Sequence, residues 1–525
     1  MAKRRITSVV ALLLLVALTA TLFTACSEKP IKDVPETTDN YRTYYQIFPY
    51  SFADSNGDGV GDLQGIIDKL DYIADMNFDG IWLTPVHQST SYHKYDVVDY
   101  KSIDKQFGTL EDYDRLVEEC HKRGMTILLD LVINHTSSEH SWFKKAVAAR
   151  SGNKLDDKYY DYYNFSDVKP DDKWYSVGGG WYYEGQFWSG MPDLNLQNVL
   201  DEPNGELAND IRDVMRFWLV DHKVDGFRLD ATGEYFTGNV IANVEFLSWL
   251  NTAAKEIKSD CYIVGEGVWN ATVYSYYESG IDSFFLFNHN GNGGSLATIG
   301  RGRSGAFDWF VKMEQSNQKN VYGGIPAMFV SNHDIGRAYG SLGARVENTK
   351  VAYGVMAMCM GTTFWYYGDE VGMSSGTGKP DENIRQPMPW GDSYQCKAVS
   401  GTTLKDDEKY PYGDVSKNLK DSDSLLNYIT RANALRRAFP QIARNYAEEL
   451  FSDGDSLGLI KKGDGDNAIY IAMNLSHMMS GTINLAQYGN FELAGTLSVN
   501  AKKTPQLKKS ALTLPPMSFA VLRKV

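Results

Sequence analysis

Eight short apolar runs, separated by amphipathic stretches of helical period, leave this chain few folds to adopt. They fall at 44–48, 80–85, 126–132, 226–231, 262–266, 283–287, 327–331 and 362–367. Strands that lie parallel need a crossover between them, usually helical, and strands buried on both faces read as continuous apolar runs. Closing such a sheet on itself removes both edges. The pattern predicts an α/β chain built on a (β/α)8 TIM barrel, spanning 41–134 and 199–437.

Two stretches stand outside that pattern. The third-to-fourth connection, 135–198, is too long for a structureless loop and is rich in aromatics, among them Trp174, Tyr175, Trp181, Tyr182, Tyr183, Phe187 and Trp188. It is expected to form a small inserted domain over the barrel mouth. From 438 to 525 short alternating runs broken by Gly and Asp predict a C-terminal antiparallel β-sandwich domain.

The first residues carry an export signal in form. Lys3, Arg4 and Arg5 precede an apolar run that ends Phe23-Thr24-Ala25-Cys26, so 1–26 reads as a lipoprotein signal peptide with Cys26 the lipidated residue. A plain signal peptide or an uncleaved helix competes for the same run. Residues 27–40, polar and containing Pro30 and Pro35, read as a linker. The body is then expected outside the cytoplasm, anchored to the membrane by lipid. Cys120, Cys261, Cys359 and Cys396 are too widely spaced for a disulfide staple or a metal knuckle and read as mostly free and buried. With 52 basic against 66 acidic residues the net charge of -14 repels a phosphate backbone. Nucleic acid is excluded as a partner and a neutral ligand is compatible; oligomeric state is not legible.

Charged groups gather at the ends of four predicted strands: Asp130 to His135, Arg228 to Asp230, Gly265-Glu266 and Asn332-His333-Asp334. Desolvating one such group is costly, so a set at four buried strand tips needs either mutual pairing or a function. In a barrel of this kind those tips build the active site. A buried ion network without catalysis is the competing reading.

These segments, with Met191-Pro192-Asp193-Leu194-Asn195, resemble the motifs of the α-amylase superfamily of retaining glycoside hydrolases. They are most similar to lipoprotein α-amylases of the group intermediate between oligo-1,6-glucosidases and neopullulanases. The resemblance implies Asp230 as nucleophile, Glu266 as general acid/base and Asp334 as the carboxylate that grips the sugar hydroxyls. It also implies His135, Arg228, His333 and the stacking Tyr95 around the same subsite, with His93, Arg385 and Trp269 as further substrate contacts. The roles are sound physically, since glycoside cleavage needs one carboxyl protonated and one ionised. Arg228, two residues before Asp230, shares its strand face and favours its charged form.

Asp54-Ser55-Asn56-Gly57-Asp58-Gly59-Val60-Gly61-Asp62 sets oxygen donors at alternate positions of a Gly-rich turn. It resembles the superfamily's N-terminal calcium loop, with Asp54, Asn56, Asp58, Asp62 and the Val60 carbonyl as Ca²⁺ ligands. A solvated turn is the alternative. Asn134 and Asp193 match two ligands of a second family site, whose histidine is replaced here by Glu234. Of the aromatics Trp181, Tyr182, Trp188 and Trp269, one or two are expected to line the groove and the rest to make core.

In chain-end glucosidases an acidic residue stands three before the stacking tyrosine; here the position is Tyr92. The expected activity is therefore internal cleavage of α-1,4-glucosidic bonds in starch and maltodextrin. Arg385-Gln386-Pro387-Met388-Pro389-Trp390 is glucosidase-like and keeps open an α-glucosidase, oligo-1,6-glucosidase or neopullulanase-like specificity. A non-catalytic glucan-binding surface protein is the alternative from another class.

Overall fold

A computed structural model describes residues 34–268, 270–376 and 378–525. Cys26 and the leader it belongs to lie outside the described residues, as does Trp269.

The eight expected strands are present as β1 (Thr43–Ile47), β2 (Gly80–Leu83), β3 (Thr126–Leu131), β4 (Gly226–Leu229), β5 (Tyr262–Gly265), β6 (Ser283–Phe285), β7 (Ile325–Phe329) and β8 (Thr362–Tyr366). They pair in parallel in chain order and close into a barrel where Tyr44 of β1 faces Phe364 of β8. β2, β4 and β6 end two residues before the expected runs, and β7 is shifted by two: Val330 and Ser331 lie beyond the strand, where the Ser331 hydroxyl donates to the Asp369 carboxylate. Inward-facing aromatics fill the lumen. Tyr44 stacks on Phe364 at 5.0 Å, Phe285 meets Phe364 at 4.7 Å, and Trp82 meets Phe285 at 5.3 Å. This plug, all of it buried, is the floor on which the polar layer of the mouth rests.

The insertion between β3 and β4 carries a helix, Ser141–Ser151, and a three-stranded antiparallel sheet of Phe165–Ser166, Trp181–Glu184 and Trp174–Gly178. Its two ends are zipped together at the barrel mouth, Thr136 N–H donating to Pro192 O at 3.1 Å and Leu194 N–H to Asn134 O at 3.0 Å.

Beyond helix Leu425–Ala438 the chain forms two antiparallel sheets. Strand Ile469–Asn474 shows why every residue there is buried. Tyr470 and Ala472 pack between the two sheets, while Ile471 and Met473 face the barrel. Lys462 reaches across that joint to Glu314 at 2.8 Å, both side chains wholly excluded from solvent.

Residues 34–40 are laid across the base of the barrel. Asn40 O accepts from the Thr362 hydroxyl at 2.7 Å, at the first residue of β8; Asp39 pairs with Arg444 at 2.6 Å, and Pro35 O accepts from Arg437 at 3.2 Å. Among the described residues no helix is long and apolar enough to cross a membrane. The four cysteines among the described residues, Cys120, Cys261, Cys359 and Cys396, are buried and unpaired.

Candidate active site

Arg228 sits at the centre of the mouth. In a parallel ladder, registered residues project to the same face, and Asp130 of β3 is the partner of Arg228 on β4. Asp230 and Arg228 are two apart, so they share that face too. The result is one buried guanidinium holding three carboxyls: Nη1 to Asp130 at 2.9 Å, Nη1 to Asp230 at 2.6 Å, and Nη2 to Glu266 at 3.1 Å. Asp130 also accepts from Tyr95 OH at 3.1 Å and Trp82 Nε1 at 3.3 Å.

One positive charge cannot neutralise three negative ones in a site that excludes most water. Burial, opposed by Arg228 and reinforced by Asp230, pushes Asp130 up to about 7. Burial likewise raises Glu266 to about 8 despite Arg228, with Asp230 and Asp334 adding to it. Although 23% of its side chain faces the cleft, Glu266 is the carboxyl that keeps its proton near neutrality. Ala231 fixes its aim. That residue adopts a left-handed backbone (φ 51°), uncommon for any side chain but glycine, and its N–H donates to Glu266 Oε2 at 2.8 Å.

Asp334 is held from two sides, by His333 Nε2 at 2.9 Å and Arg385 Nη2 at 2.9 Å. Burial favours the neutral acid, but His333 and then Arg385 outweigh it and keep the carboxyl well below the usual carboxylate range. His333 itself is pushed down by burial. Its hydrogen-bond donation and the fixed Arg385 charge, rather than a charged ring, are what we take to stabilise Asp334. Gln46 of β1 donates to His333 Nδ1 at 2.8 Å, which puts the ring proton on Nε2, where Tyr95 OH also lies at 2.6 Å. The Tyr95 and His333 rings are parallel with centroids 5.4 Å apart. Arg385 continues to His333 O at 3.0 Å and Tyr92 OH at 3.0 Å. Tyr92 in turn packs on Phe48 and Tyr50, so the loops after β1, β2 and β8 close that side of the pocket. His93, beside them, is pushed down to about 4 by burial and the Arg385 charge and is neutral.

His135 lies at the third strand tip, buried, with Nε2 lacking a hydrogen-bond partner. Phe187 of the insertion stands edge-on to it at 5.2 Å. Asn134 and Asp193 meet at 3.3 Å, and Glu234 accepts from Gln186 at 3.4 Å. Burial and then Glu184 raise the Asp193 carboxyl to about 8. Trp181 is stacked by Arg150 at 5.2 Å, whereas Trp188 is 46% exposed. From the sequence, Asp130 has a place in a strand-tip segment but no role and Tyr92 counts only toward specificity, while Gln46 and Phe187 are not read as site residues. The signal for Asp130 was there: a carboxylate inside an apolar strand needs a cation on a neighbouring strand, and Arg228 supplies it.

The Asp54 to Asp62 loop folds on its own amides. Asp54 accepts from Asn56 N–H at 3.1 Å, Gly57 N–H at 2.7 Å and Gly59 N–H at 2.7 Å. Asn56 accepts from Asp58 N–H at 2.9 Å and Asp58 from Val60 N–H at 2.8 Å. Asp62 caps helix Leu63–Asp68 through Gly65 N–H at 2.7 Å, and Lys397 Nζ donates to Asp58 O at 2.7 Å. Among the described residues no group of three or more His, Cys, Asp or Glu is arranged to hold a metal ion.

Residues 46–445 match the family described as Alpha amylase, catalytic domain. Alpha-amylase 3 of Dictyoglomus thermophilum is 33% identical, over 83% of this chain and 85% of that one. Oligo-1,6-glucosidase of Heyndrickxia coagulans is 31% identical, over 86% and 95%. The solved structure of Eubacterium rectale Amy13B superposes with a TM-score of 0.86 at 35% identity, covering 95% of this chain and 99% of that one.

Proposed function

Because the chain belongs to the α-amylase catalytic-domain family and is a glycoside hydrolase, we propose that it cleaves internal α-1,4-glucosidic bonds of starch and maltodextrin with retention at the anomeric carbon. The observation that carries this is the shared Arg228 guanidinium, which ion-pairs Asp230 at 2.6 Å while Glu266 keeps a proton. Asp230 attacks C1 as Glu266 gives its proton to the leaving oxygen; Glu266 then takes a proton from the water that displaces Asp230. Asp334, with His333 and Arg385, grips hydroxyls of the reacting sugar, and the free His135 Nε2 offers it a further hydrogen bond. Proton NMR of the first product tests this: two inversions give the α-anomer, and β-anomer appearing first would remove the assignment.

A chain-end specificity is favoured by one feature, the Arg385–Tyr92 contact that closes the Asp334 side of the pocket. Timed products on amylose distinguish the two: mixed maltodextrins early for internal cleavage, single sugars from the start for chain-end cleavage.

Calcium belongs to the same proposal. The loop offers hard oxygens, the donors Ca²⁺ takes; Asp58, which accepts a single amide N–H, retains lone pairs for a cation, whereas Asp54 already accepts three amides and Asp62 the Ser55 and Gly65 amides with the Ser55 hydroxyl. Asp54, Asn56, Asp58, the Val60 carbonyl and Asp62 would hold it. The protein is further proposed to be a lipoprotein anchored through Cys26, outside the cytoplasm. Cys26→Ala should then move it from the membrane fraction to the soluble one with specific activity intact.

A further inference from the structure

On the flank of the barrel, where the foot of the insertion meets helix Glu206–Arg216, a cleft of about 440 Å³ opens between residues 98–101, 139–142 and 158–159. None of the side chains assigned to the catalytic mouth lines it. Its inner wall is aromatic. Trp142 stands edge-on to His140 at 4.8 Å and to Tyr162 at 5.7 Å and packs on the buried Tyr100 ring at 5.5 Å, so the indole is pinned on one side and only half-buried on the other. Tyr159, also half-buried, meets Tyr162 at 4.9 Å.

Two observations point to what the cleft takes. The first is a donor without a partner. His140 is 3% exposed, and burial pushes its ring down to about 4, so it is neutral. Nδ1 accepts from Trp142 N–H at 3.1 Å, which leaves the single ring proton on Nε2. The ring lines the cleft, yet among the described residues nothing accepts from Nε2. A buried donor left unmade costs about 1–3 kcal/mol, so this proton is answered by whatever fills the cleft. The second is the balance of charge. Asp210 pairs with Lys158 at 2.8 Å, Glu139 with Lys144 at 2.6 Å, and Asp213 with Lys101. With those charges cancelled in pairs the rim does not select for an ion, while a carboxylate held by an ammonium keeps lone pairs for hydroxyls. Flat aromatic faces, a neutral donor and several acceptors suit pyranose rings, which are apolar on their faces and polar at their edges. We propose that this cleft is a second, non-catalytic α-glucan site, with sugar rings lying on Trp142 and Tyr159 and a hydroxyl accepting from His140 Nε2. It would hold a long chain on the enzyme between cleavages. The ligand class rests on the reading of the protein as an α-glucan hydrolase.

The test separates polymer from oligomer. In a gel containing soluble starch, Asp230→Asn, which cannot consume the polymer, should be retarded, and adding Trp142→Ala should weaken that apparent affinity about fivefold. In the active protein, Trp142→Ala and Tyr159→Ala should lose about fivefold in kcat/KM on soluble starch and less than about twofold on maltotriose, which is too short to span cleft and catalytic mouth. Trp142→Phe, which keeps a ring, should recover most of the loss, and melting temperatures report folding separately. Undiminished retardation, or equal losses on starch and maltotriose, would overturn the site. Release of no sugar from either substrate by the unaltered protein would instead remove the hydrolase reading beneath it.

Discussion

Removing Arg228 would leave Asp130, Asp230 and Glu266 without their shared cation, so the site's behaviour with pH follows from how that single charge is divided. Glu266 acts as acid only while protonated. Its carboxyl is raised to about 8, so kcat/KM should be lost as pH rises through that value rather than through the ordinary carboxylate range. Glu266→Gln cannot titrate, so a pH profile of its residual activity should lack that limb; an unchanged limb would place the proton elsewhere. Asp130→Asn makes a sharper case. It frees Arg228 to serve two carboxyls, so the limb should move to lower pH, while the loosened guanidinium costs about a hundredfold in kcat. The place of Asp230, Glu266 and Asp334 just beyond apolar runs was legible in the sequence, whereas their separate roles came from the resemblance to the family. Asp130, a carboxylate inside an apolar strand, was visible but its partner was not, and Gln46 was not singled out at all, because cross-strand register, Asp130 opposite Arg228 and Gln46 reaching His333, is displayed by no single strand.

At the scale of elements, the barrel strands could be read because burial on both faces leaves an apolar run with little ambiguity. The insertion could not be resolved in the same way. Its aromatics serve three different ends: Trp181 stacks with Arg150, Tyr183 packs on Phe143 at 4.9 Å, and Phe187 meets the pocket. Composition alone cannot separate these. The Asp54 to Asp62 loop yields a prediction of its own. A cation bound only by the folded form stabilises it by about 2.7 kcal/mol at a hundred times its Kd, so chelation should lower the melting temperature and Asp58→Ala should abolish that response. Lys397 places a competing positive charge on Asp58 O. Lys397→Met should therefore tighten Ca²⁺ binding in a calorimetric titration, and weaker binding would show that the lysine supports the loop.

At the scale of the whole molecule, the joint between barrel and C-terminal sandwich combines apolar packing with a charged pair sealed inside, Lys462 to Glu314. Glu314 also accepts Met360 N–H at 3.0 Å, and Lys462 Nζ donates to Ile442 O at 3.0 Å as well, so loss of the Glu314 charge leaves a buried ammonium hydrogen-bonded but without a counter-charge. Glu314→Gln should destabilise the protein by about 3 to 5 kcal/mol in denaturant unfolding, whereas replacing both partners with apolar residues should recover much of that. If the single and double variants unfold alike, the pair carries no such cost.

The strap of residues 34–40 across the barrel base has a consequence for orientation. Any chain before residue 34 departs from the end opposite the catalytic mouth. With Cys26 in a bilayer, the intervening residues could span at most about 25 Å, so the protein would stand on its closed end with the cleft turned away from the lipid. A glucan too large to approach a cell surface closely would still find the open side first.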